Sequence, residues 1–347
     1  MKSGWRSNLL AVGISLLGSL LAAEAVLRVL RLGYNNAPLN PSASRHHEHP
    51  AHYRFSAYSL QNEWEGFSIR TDRYGNRSLD GLCRFPPSGP SDHLVVLGDS
   101  FIEGFQVRNQ DSITGQLQQA FCGGGTKVHN LGVSSYSPVL SDIQLREFLQ
   151  QHPQGPALLQ GGTVLHVLYD NDHVGDQGYA DQLGLNDAGE LVVSAEDELT
   201  PLVRLARSSY LARLLRRAQL TASELNRQPN GSKPFAAANP GGPPPPCRLD
   251  PKMLEASAAA LGRIRDRVAA SGGRYVLSAI PTDPRKGPTV VACYRQLAEQ
   301  LGVPFIPVSE PLLRQPQAFY FTHDIHLNPA GNRRVADQLL HGLSTGQ

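Results

Sequence analysis

Residues 93–100 read His-Leu-Val-Val-Leu-Gly-Asp-Ser, a short apolar run that ends at a glycine followed by two polar residues. The β-branched side chains of the run and the turn residues behind it are typical of a buried strand. The rest of the chain repeats this alternation between short apolar runs and longer amphipathic segments. The predicted strands are 93–97, 126–131, 163–168, 274–280 and 303–308, and the predicted helices are 112–121, 139–150, 251–270, 290–301 and 329–340.

Strands that alternate with helices of this length are typical of a parallel sheet covered on both faces. We therefore expect an α/β domain over residues 93–345, a three-layer α/β/α sandwich with a flavodoxin-like parallel sheet. A long helical and loop insertion interrupts the domain at about 173–250 and is a candidate lid. Within it, leucines and arginines alternate over 202–217, which predicts a basic amphipathic helix. Its apolar face is expected on the protein core, and contact with anionic lipid or polysaccharide is the alternative.

The N-terminus carries an apolar run over residues 9–27 behind two basic residues. One helix needs about 20 apolar residues to cross the hydrocarbon core. Residues 1–32 are therefore predicted to be an uncleaved inner-membrane anchor that places the domain in the periplasm. Ala23-Glu24-Ala25 also fits a signal-peptide cleavage site, so a secreted protein is the alternative.

Residues 33–92 are predicted to form a stalk and lead-in between the anchor and the domain. The part up to residue 60 is polar and contains four histidines between positions 46 and 52. This composition favours a solvated linker over a metal-binding tract.

The net charge of the chain restricts the class of partner that it can bind. The 347 residues include 32 basic and 30 acidic side chains, and a net charge of +2 excludes a strongly basic nucleic-acid-binding protein.

Four cysteines in an exported chain permit two disulfides. Three connectivities exist, and by position we pair Cys83 with Cys122 and Cys247 with Cys293. No CxxC pair is present, so we do not expect a zinc site.

Polar clusters follow three predicted strands, and a fourth precedes the last helix. Ligands of parallel α/β sheets bind outside the carboxyl ends of the strands, so the clusters are expected to meet at one rim of the sheet. They are Gly98-Asp99-Ser100, Asn130-Leu131-Gly132, Asp170-Asn171-Asp172 and Asp324-Ile325-His326.

Together the clusters contain the groups that acyl transfer requires. A serine hydroxyl becomes a good nucleophile when an imidazole accepts its proton, and a carboxylate orients that imidazole. Ser100 is the predicted nucleophile, His326 its base and Asp324 the orienting acid. The negative charge of a tetrahedral intermediate needs N–H donors. The backbones of Ser100 and Gly132 and the side-chain amide of Asn171 are expected to supply them.

Three neighbouring residues, Asp99, Asn130 and Asp172, are expected to support the site. Asp99 is expected to brace its loop by accepting backbone N–H bonds. For the acid, one alternative stays open: Asp324 is an ordinary turn residue, and a backbone carbonyl orients His326.

The four clusters, in this order, resemble the blocks of the SGNH (GDSL-type) hydrolase superfamily, which supply Ser, Gly, Asn and His along the chain. The resemblance covers roughly residues 68–345 without the insertion. It implies an α/β/α fold, metal-free serine esterase chemistry and the oxyanion roles given above. The anchor and the Gly75-Asn76-Arg77 lead-in resemble the exported, polysaccharide-associated bacterial branch. In many members the acid lies three residues before the histidine, where this chain has His323, whereas Asp324 lies two before it.

The resemblance and the expected location predict an enzyme, a serine esterase that removes acyl groups, acetyl above all, from an envelope carbohydrate or another ester-bearing molecule. One alternative is an O-acyltransferase that works with polysaccharide-export proteins and passes the acyl group to a sugar hydroxyl instead of water. Another is a catalytically silent carbohydrate-binding scaffold.

Overall fold

The computed structural model describes residues 3–30, 39–59, 61–195, 200–226, 246–281 and 287–346. In the N-terminal half the elements are α1 Ser3–Leu30, β1 Asn40–Pro41, β2 His47–Glu48, β3 Arg54–Tyr58, β4 Glu65–Arg70, β5 Asp92–Gly98, α2 Ser100–Glu103, α3 Ile113–Phe121, β6 Thr126–Gly132, α4 Pro138–Gln151 and β7 Thr163–Tyr169. They continue with α5 Asp172–Ala180, β8 Leu183–Leu185, β9 Leu191–Val193, α6 Pro201–Ser208, α7 Tyr210–Asn226, α8 Pro251–Ala270, β10 Arg274–Ile280, α9 Gly287–Leu301, β11 Phe305–Ile306, α10 Ser309–Arg314, α11 Pro316–Phe319 and α12 Pro329–Thr345.

A five-stranded parallel sheet lies at the centre of the described chain, in the order β11-β10-β7-β5-β6. Counted along the chain, its strands follow the order 2-1-3-4-5, which is the flavodoxin-like order and confirms the predicted α/β fold. Gly98 at the end of β5 pairs with Gly132 of β6 on one side and with Val167 of β7 on the other. The strand predicted at 303–308 is shorter than expected, because only two of its residues pair with β10.

Both faces of the sheet are buried because successive side chains of each strand enter cores on opposite sides. Val95 and Leu97 of β5 lie in one core with residues of α4, α8 and α9. Leu94 and Val96 lie in the other core with residues of α3 and α12. The three layers bring the carboxyl ends of β5, β6 and β7 to the same rim of the sheet.

The histidine-rich segment before the sheet is folded against the domain, so the stalk prediction is wrong for its described part. His47 and His49 are buried. The Nε2 atom of His47 is 2.8 Å from the carbonyl oxygen of Ser134, and His49 is hydrogen-bonded to the carboxylate of Glu103 in α2. These imidazoles are buried because each meets an internal polar partner, a possibility that composition alone does not reveal.

The helix α1 is long and apolar enough to cross a membrane. Its segment Asn8–Leu30 has a mean hydropathy of 2.1, and its apolar window is not buried against the rest of the described chain. The one acidic residue of this segment, Glu24, accepts hydrogen bonds from the Ser209 hydroxyl and from the backbone N–H groups of Tyr210 and Leu211. Glu24 therefore holds the start of α7, inside the insertion, against α1.

The apolar face of the basic amphipathic segment does not pack on the core, which corrects the expectation from its sequence. Leu202 and Leu205 of α6 are 75% and 66% exposed. The reason is that α6 and α7 lie beside the lead-in and α1 rather than on the sheet. Arg207 donates to the carbonyl oxygen of Leu39 at 3.0 Å, and α7 contacts α1. The lid role of the insertion stays a prediction.

Two disulfides connect peripheral segments to the sandwich. Cys83–Cys122 joins the lead-in to the end of α3, and Cys247–Cys293 joins the end of the insertion to α9. The pairing expected from position is confirmed.

Candidate active site

Ser100 is the first residue of α2 and follows β5 after a sharp turn. Gly98 has a φ of 157°, and a Cβ atom there would lie 2.8 Å from the carbonyl oxygen of Val167, so the turn requires glycine. Asp99 caps α2 by accepting the backbone N–H of Phe101 at 2.9 Å. Within the described chain the Ser100 N–H has no acceptor, as is usual for the first turn of a helix. The turn thus presents both the hydroxyl and the N–H of Ser100 at the rim of the sheet.

His326 and Asp324 complete a relay with Ser100. The Nε2 atom of His326 is 2.7 Å from Ser100 Oγ, and its Nδ1 atom is hydrogen-bonded to Asp324 Oδ1. The same carboxylate oxygen accepts the backbone N–H of His326 at 3.0 Å. Phe101 packs beside the imidazole, with the ring centroids 4.9 Å apart. This arrangement keeps a proton on Nδ1 and leaves Nε2 to accept the proton of Ser100.

Asp324 is held as a carboxylate although its side chain is only 19% exposed. Burial acts to raise its pKa, but hydrogen bonds from His326 and Trp64, together with the charge of His326, lower the pKa below the ordinary value of a carboxyl. Trp64 Nε1 donates to Asp324 Oδ2 at 3.2 Å. His323, at the position where many SGNH members carry the acid, is exposed, and its ring lies 3.4 Å from a carboxylate oxygen of Glu63. Asp324, two residues before the histidine, is thus the carboxylate that contacts the imidazole.

Glu63 fixes the turn that carries Asp324. Its carboxylate accepts the backbone N–H groups of Thr322 at 2.6 Å, His323 at 2.9 Å and Asp324 at 3.0 Å. Hydrogen bonds to an ionised acceptor are stronger than neutral ones, so the turn is tightly held. Glu63 and Trp64 both belong to the connection between β3 and β4. The sequence offered no signal for either residue, because their partners lie about 260 positions away along the chain.

The Gly132 N–H is not available to an oxyanion, which corrects the expectation from the sequence. That N–H donates to the Oδ1 atom of Asn130 at 2.9 Å. A Cβ atom at Gly132 would overlap the backbone of Ile102 and Glu103 in α2. Glycine is therefore needed at this position so that β6 can pack closely against the helix that carries Ser100.

Two other groups at the rim carry N–H donors that have no acceptor within the described chain. One is the side-chain amide of Asn171, an exposed residue at the start of α5 whose side chain also does not cap that helix. Ser135, in the loop after β6, is exposed and has a positive φ of 66°, an unusual conformation for a residue other than glycine. Its N–H has no acceptor within the described chain. Strained backbone of this kind is concentrated at functional sites.

Asn130 and Asp172 brace the rim from the interior. The Asn130 amide donates to the Ile102 carbonyl and to the Thr114 hydroxyl, both at 2.8 Å, and so joins β6 to α2 and α3. Asp172 accepts the backbone N–H of Tyr169 at 2.9 Å, which closes the end of β7.

Asp99 and Asp172 lie close enough to influence each other's ionisation. Burial raises the pKa of Asp99 to about 7, against the effects of the Phe101 N–H and the charge of His326. Burial, followed by the charge of Asp99, holds the pKa of Asp172 well above its ordinary value. Both carboxyls support the rim through the backbone N–H groups they accept, and Asp324 is the acid that contacts the imidazole.

The family model for GDSL-like lipases and acylhydrolases matches residues 96–334, a range that includes Ser100, Asp324 and His326. The chain belongs to this family. This GDSL-type hydrolase has no match among curated proteins. Among solved structures it is similar to a lipolytic protein of the G-D-S-L family from Veillonella parvula, at 11% identity and a TM-score of 0.42, over 73% of this chain and 99% of that one. It is also similar to the psychrotrophic esterase EstA from Pseudoalteromonas, at 13% identity and a TM-score of 0.40, over 74% of this chain and 98% of that one.

Proposed function

We propose that this GDSL-type hydrolase cleaves carboxylic esters through an acyl-Ser100 intermediate. The observation that carries the proposal is the 2.7 Å distance between Ser100 Oγ and His326 Nε2, with Asp324 on the opposite ring nitrogen. As Oγ attacks the ester carbonyl carbon, Nε2 accepts the hydroxyl proton and then gives it to the leaving alcohol oxygen when the C–O bond breaks. Water next attacks the acyl carbon and gives a proton to Nε2. The acyl–Oγ bond then breaks, and Oγ takes that proton back.

The oxyanion of each tetrahedral intermediate is assigned to three donors. They are the N–H of Ser100 at the start of α2, the side-chain amide of Asn171 and the N–H of Ser135. Ser135 takes the place expected for Gly132, because the Gly132 N–H already donates to Asn130. Donors fixed before the reaction cost no reorganisation when the negative charge develops.

The proposed substrate is an acetyl or other short acyl ester of an envelope carbohydrate, and polysaccharide-export proteins are the proposed partners. Two observations support an extracytoplasmic setting. The helix α1 is apolar enough to anchor the chain in a membrane. The two disulfides are typical of an oxidising compartment. In spheroplasts of a Gram-negative host, added protease should digest the domain without detergent, whereas digestion only after lysis would place it in the cytoplasm.

Hydrolysis and acyl transfer are separated by their products. The full-length protein in nonionic detergent is incubated with p-nitrophenyl acetate, with and without a neutral oligosaccharide, and acetate and acetylated sugar are measured. Free acetate alone in both reactions supports hydrolysis. Acetylated oligosaccharide identifies the transferase, and no acetate release above that of the Ser100→Ala variant identifies a silent scaffold.

We expect Asp324→Ala to lower kcat by about 10²–10⁴-fold. The carboxylate fixes the tautomer and orientation of His326 and stabilises its protonated form, but it does not attack the substrate. Steady-state hydrolysis of p-nitrophenyl acetate measures the loss. His323→Ala, which alters the exposed neighbour, is the matched control and should keep wild-type kcat. Full activity of Asp324→Ala would assign the acid role to another residue.

We expect Glu63→Ala to lower kcat by about 10–100-fold while KM changes little, because a small displacement of a catalytic group is enough for such a loss. Glu63 is a positioning residue that does not touch the substrate; it holds Asp324 through the three backbone N–H groups it accepts. Glu63→Gln, which keeps one carbonyl acceptor, should recover part of the activity. The exposed Glu310→Ala on α10 is the control. A KM increase at unchanged kcat would show that Glu63 binds substrate instead.

A further inference from the structure

A cavity of about 660 Å³ lies between the lead-in and the edge strand β6, and neither Ser100, Asp324 nor His326 lines it. Its lining is rich in cationic side chains: Arg54, Arg70, Arg73 and Lys127. A volume of this size lies in the range of organic ligand sites and is far larger than a single inorganic anion requires.

Two of these arginines are placed directly opposite each other. Arg54 of β3 and Arg70 of β4 are cross-strand partners in the antiparallel hairpin, so both side chains lie on the same face. The alternate residues Phe55 and Ile69 are buried on the other face. Like charges at directly opposed positions destabilise a β-hairpin. Repulsion between Arg54 and Arg70 thus destabilises the hairpin when no ligand is bound, and it favours a state in which an anion lies between the two guanidinium groups.

The protein itself supplies little compensating charge. Within the described residues, Arg54, Arg70, Arg73 and Lys127 form no ion pair with a carboxylate. Arg54 Nε donates to the neutral hydroxyl of Ser68 at 2.7 Å.

Two carboxyls also line the cavity. Asp72 accepts the backbone N–H groups of Tyr74 and Asn76, and burial raises its pKa to about 6. Asp80 is exposed. Four cationic side chains thus face at most two negative ones.

One of the three histidines that line the cavity, His152, is disfavoured as a cation by its burial and by the nearby positive charges. Burial, followed by the charges of His93, Arg73 and Lys127, lowers the pKa of His152 to about 4. A fourth arginine in the lining, Arg77, is not available to a ligand, because its buried guanidinium donates to the backbone carbonyl oxygens of Glu103, at the end of α2, and of Val107.

We propose that this cavity binds an anionic saccharide through its carboxylate or phosphate groups, at a site separate from the Ser100 centre. Arg54 and Arg70 clamp one oxyanion, since guanidinium groups match the geometry of carboxylate and phosphate oxygens. Arg73 and Lys127 bind further negative charge along the chain of sugars. The saccharide character rests on the proposed action on envelope carbohydrate, whereas the anion preference rests on the lining alone.

The test measures binding to the full-length protein in nonionic detergent by calorimetry. The probes are hexagalacturonate, neutral cellohexaose and inorganic phosphate. We expect hexagalacturonate to bind, cellohexaose not to bind, and phosphate to bind about tenfold or more weakly than hexagalacturonate. Arg54→Gln/Arg70→Gln should weaken hexagalacturonate binding about tenfold or more. The control Arg333→Gln/Arg334→Gln removes the same charge from exposed positions of α12 and should bind as wild type.

Equal hexagalacturonate binding by the two double variants, or equal binding of cellohexaose and hexagalacturonate, would overturn the proposal. Phosphate that binds as tightly as hexagalacturonate would overturn the saccharide assignment. Without ligand, the Arg54→Gln/Arg70→Gln variant should melt at or above the wild-type temperature, whereas a lower Tm would show that the pair serves the fold. Hydrolysis of p-nitrophenyl acetate should be unchanged, so failure of the esterase proposal and failure of this site give different results.

Discussion

Ser100→Ala is expected to reduce the kcat/KM for p-nitrophenyl acetate by about 10⁴–10⁶-fold, to the rate of the solution reaction with whatever the oxyanion donors retain. The hydroxyl is the atom that bonds to the acyl carbon, and no neighbouring group replaces it. The rate is measured by release of p-nitrophenol. Ser223→Ala, which changes an exposed serine on α7, is the matched control.

The fold of Ser100→Ala is expected to be intact, because the Ser100 residue is only half-buried and, within the described chain, its hydroxyl is hydrogen-bonded to His326 alone. Far-UV circular dichroism and Tm check this. Substantial turnover by a correctly folded Ser100→Ala protein would remove the nucleophile from the mechanism.

His326→Ala is expected to cause a loss of similar size, about 10⁴–10⁶-fold in kcat/KM. Without the imidazole, Ser100 keeps its proton during attack, and the leaving alcohol receives none. Since Ser100 and His326 act as one unit, the double variant should lose no more activity than either single one. His341→Ala, at an exposed position of α12, is the control. Multiplicative losses in the double variant would show that the two residues act independently.

The sheet and most of the candidate site were accessible to sequence reasoning because they rest on local patterns. A β-branched run that stops at Gly98-Asp99-Ser100 specifies both a buried strand and its sharp end. The order of strands and helices then specifies a parallel sheet, whose carboxyl ends meet at one rim. This rule allowed Ser100, His326 and Asp324 to be predicted as members of one site, although more than 220 residues separate Ser100 from the other two.

The remaining features depend on contacts that no local pattern encodes. The composition of the lead-in is polar and therefore predicted a solvated segment. The burial of its histidines His47 and His49 is explained by their partners Ser134 and Glu103. Glu63 and Trp64 reach Asp324 from an unremarkable turn. The predicted oxyanion role of Gly132 was wrong because a glycine at a strand end is equally suited to close packing. The sequence does not show that the Gly132 N–H donates to Asn130 instead.

The prediction that the apolar face of the amphipathic segment 202–217 packs on the core was wrong for a related reason. A pattern of leucines and arginines predicts an apolar face but not what covers it. Glu24 joins the start of α7 to α1, the helix proposed to cross the membrane, and the leucines Leu202 and Leu205 of α6 stay exposed.

Whether Ser100 is the nucleophile is tested by covalent labelling of the full-length protein with a fluorophosphonate, followed by intact-mass measurement and peptide mapping. We expect a single adduct on Ser100, no adduct in Ser100→Ala and strongly slowed labelling in His326→Ala. An adduct on another serine, or equal labelling of wild type and Ser100→Ala, would contradict the assignment of Ser100 as the nucleophile.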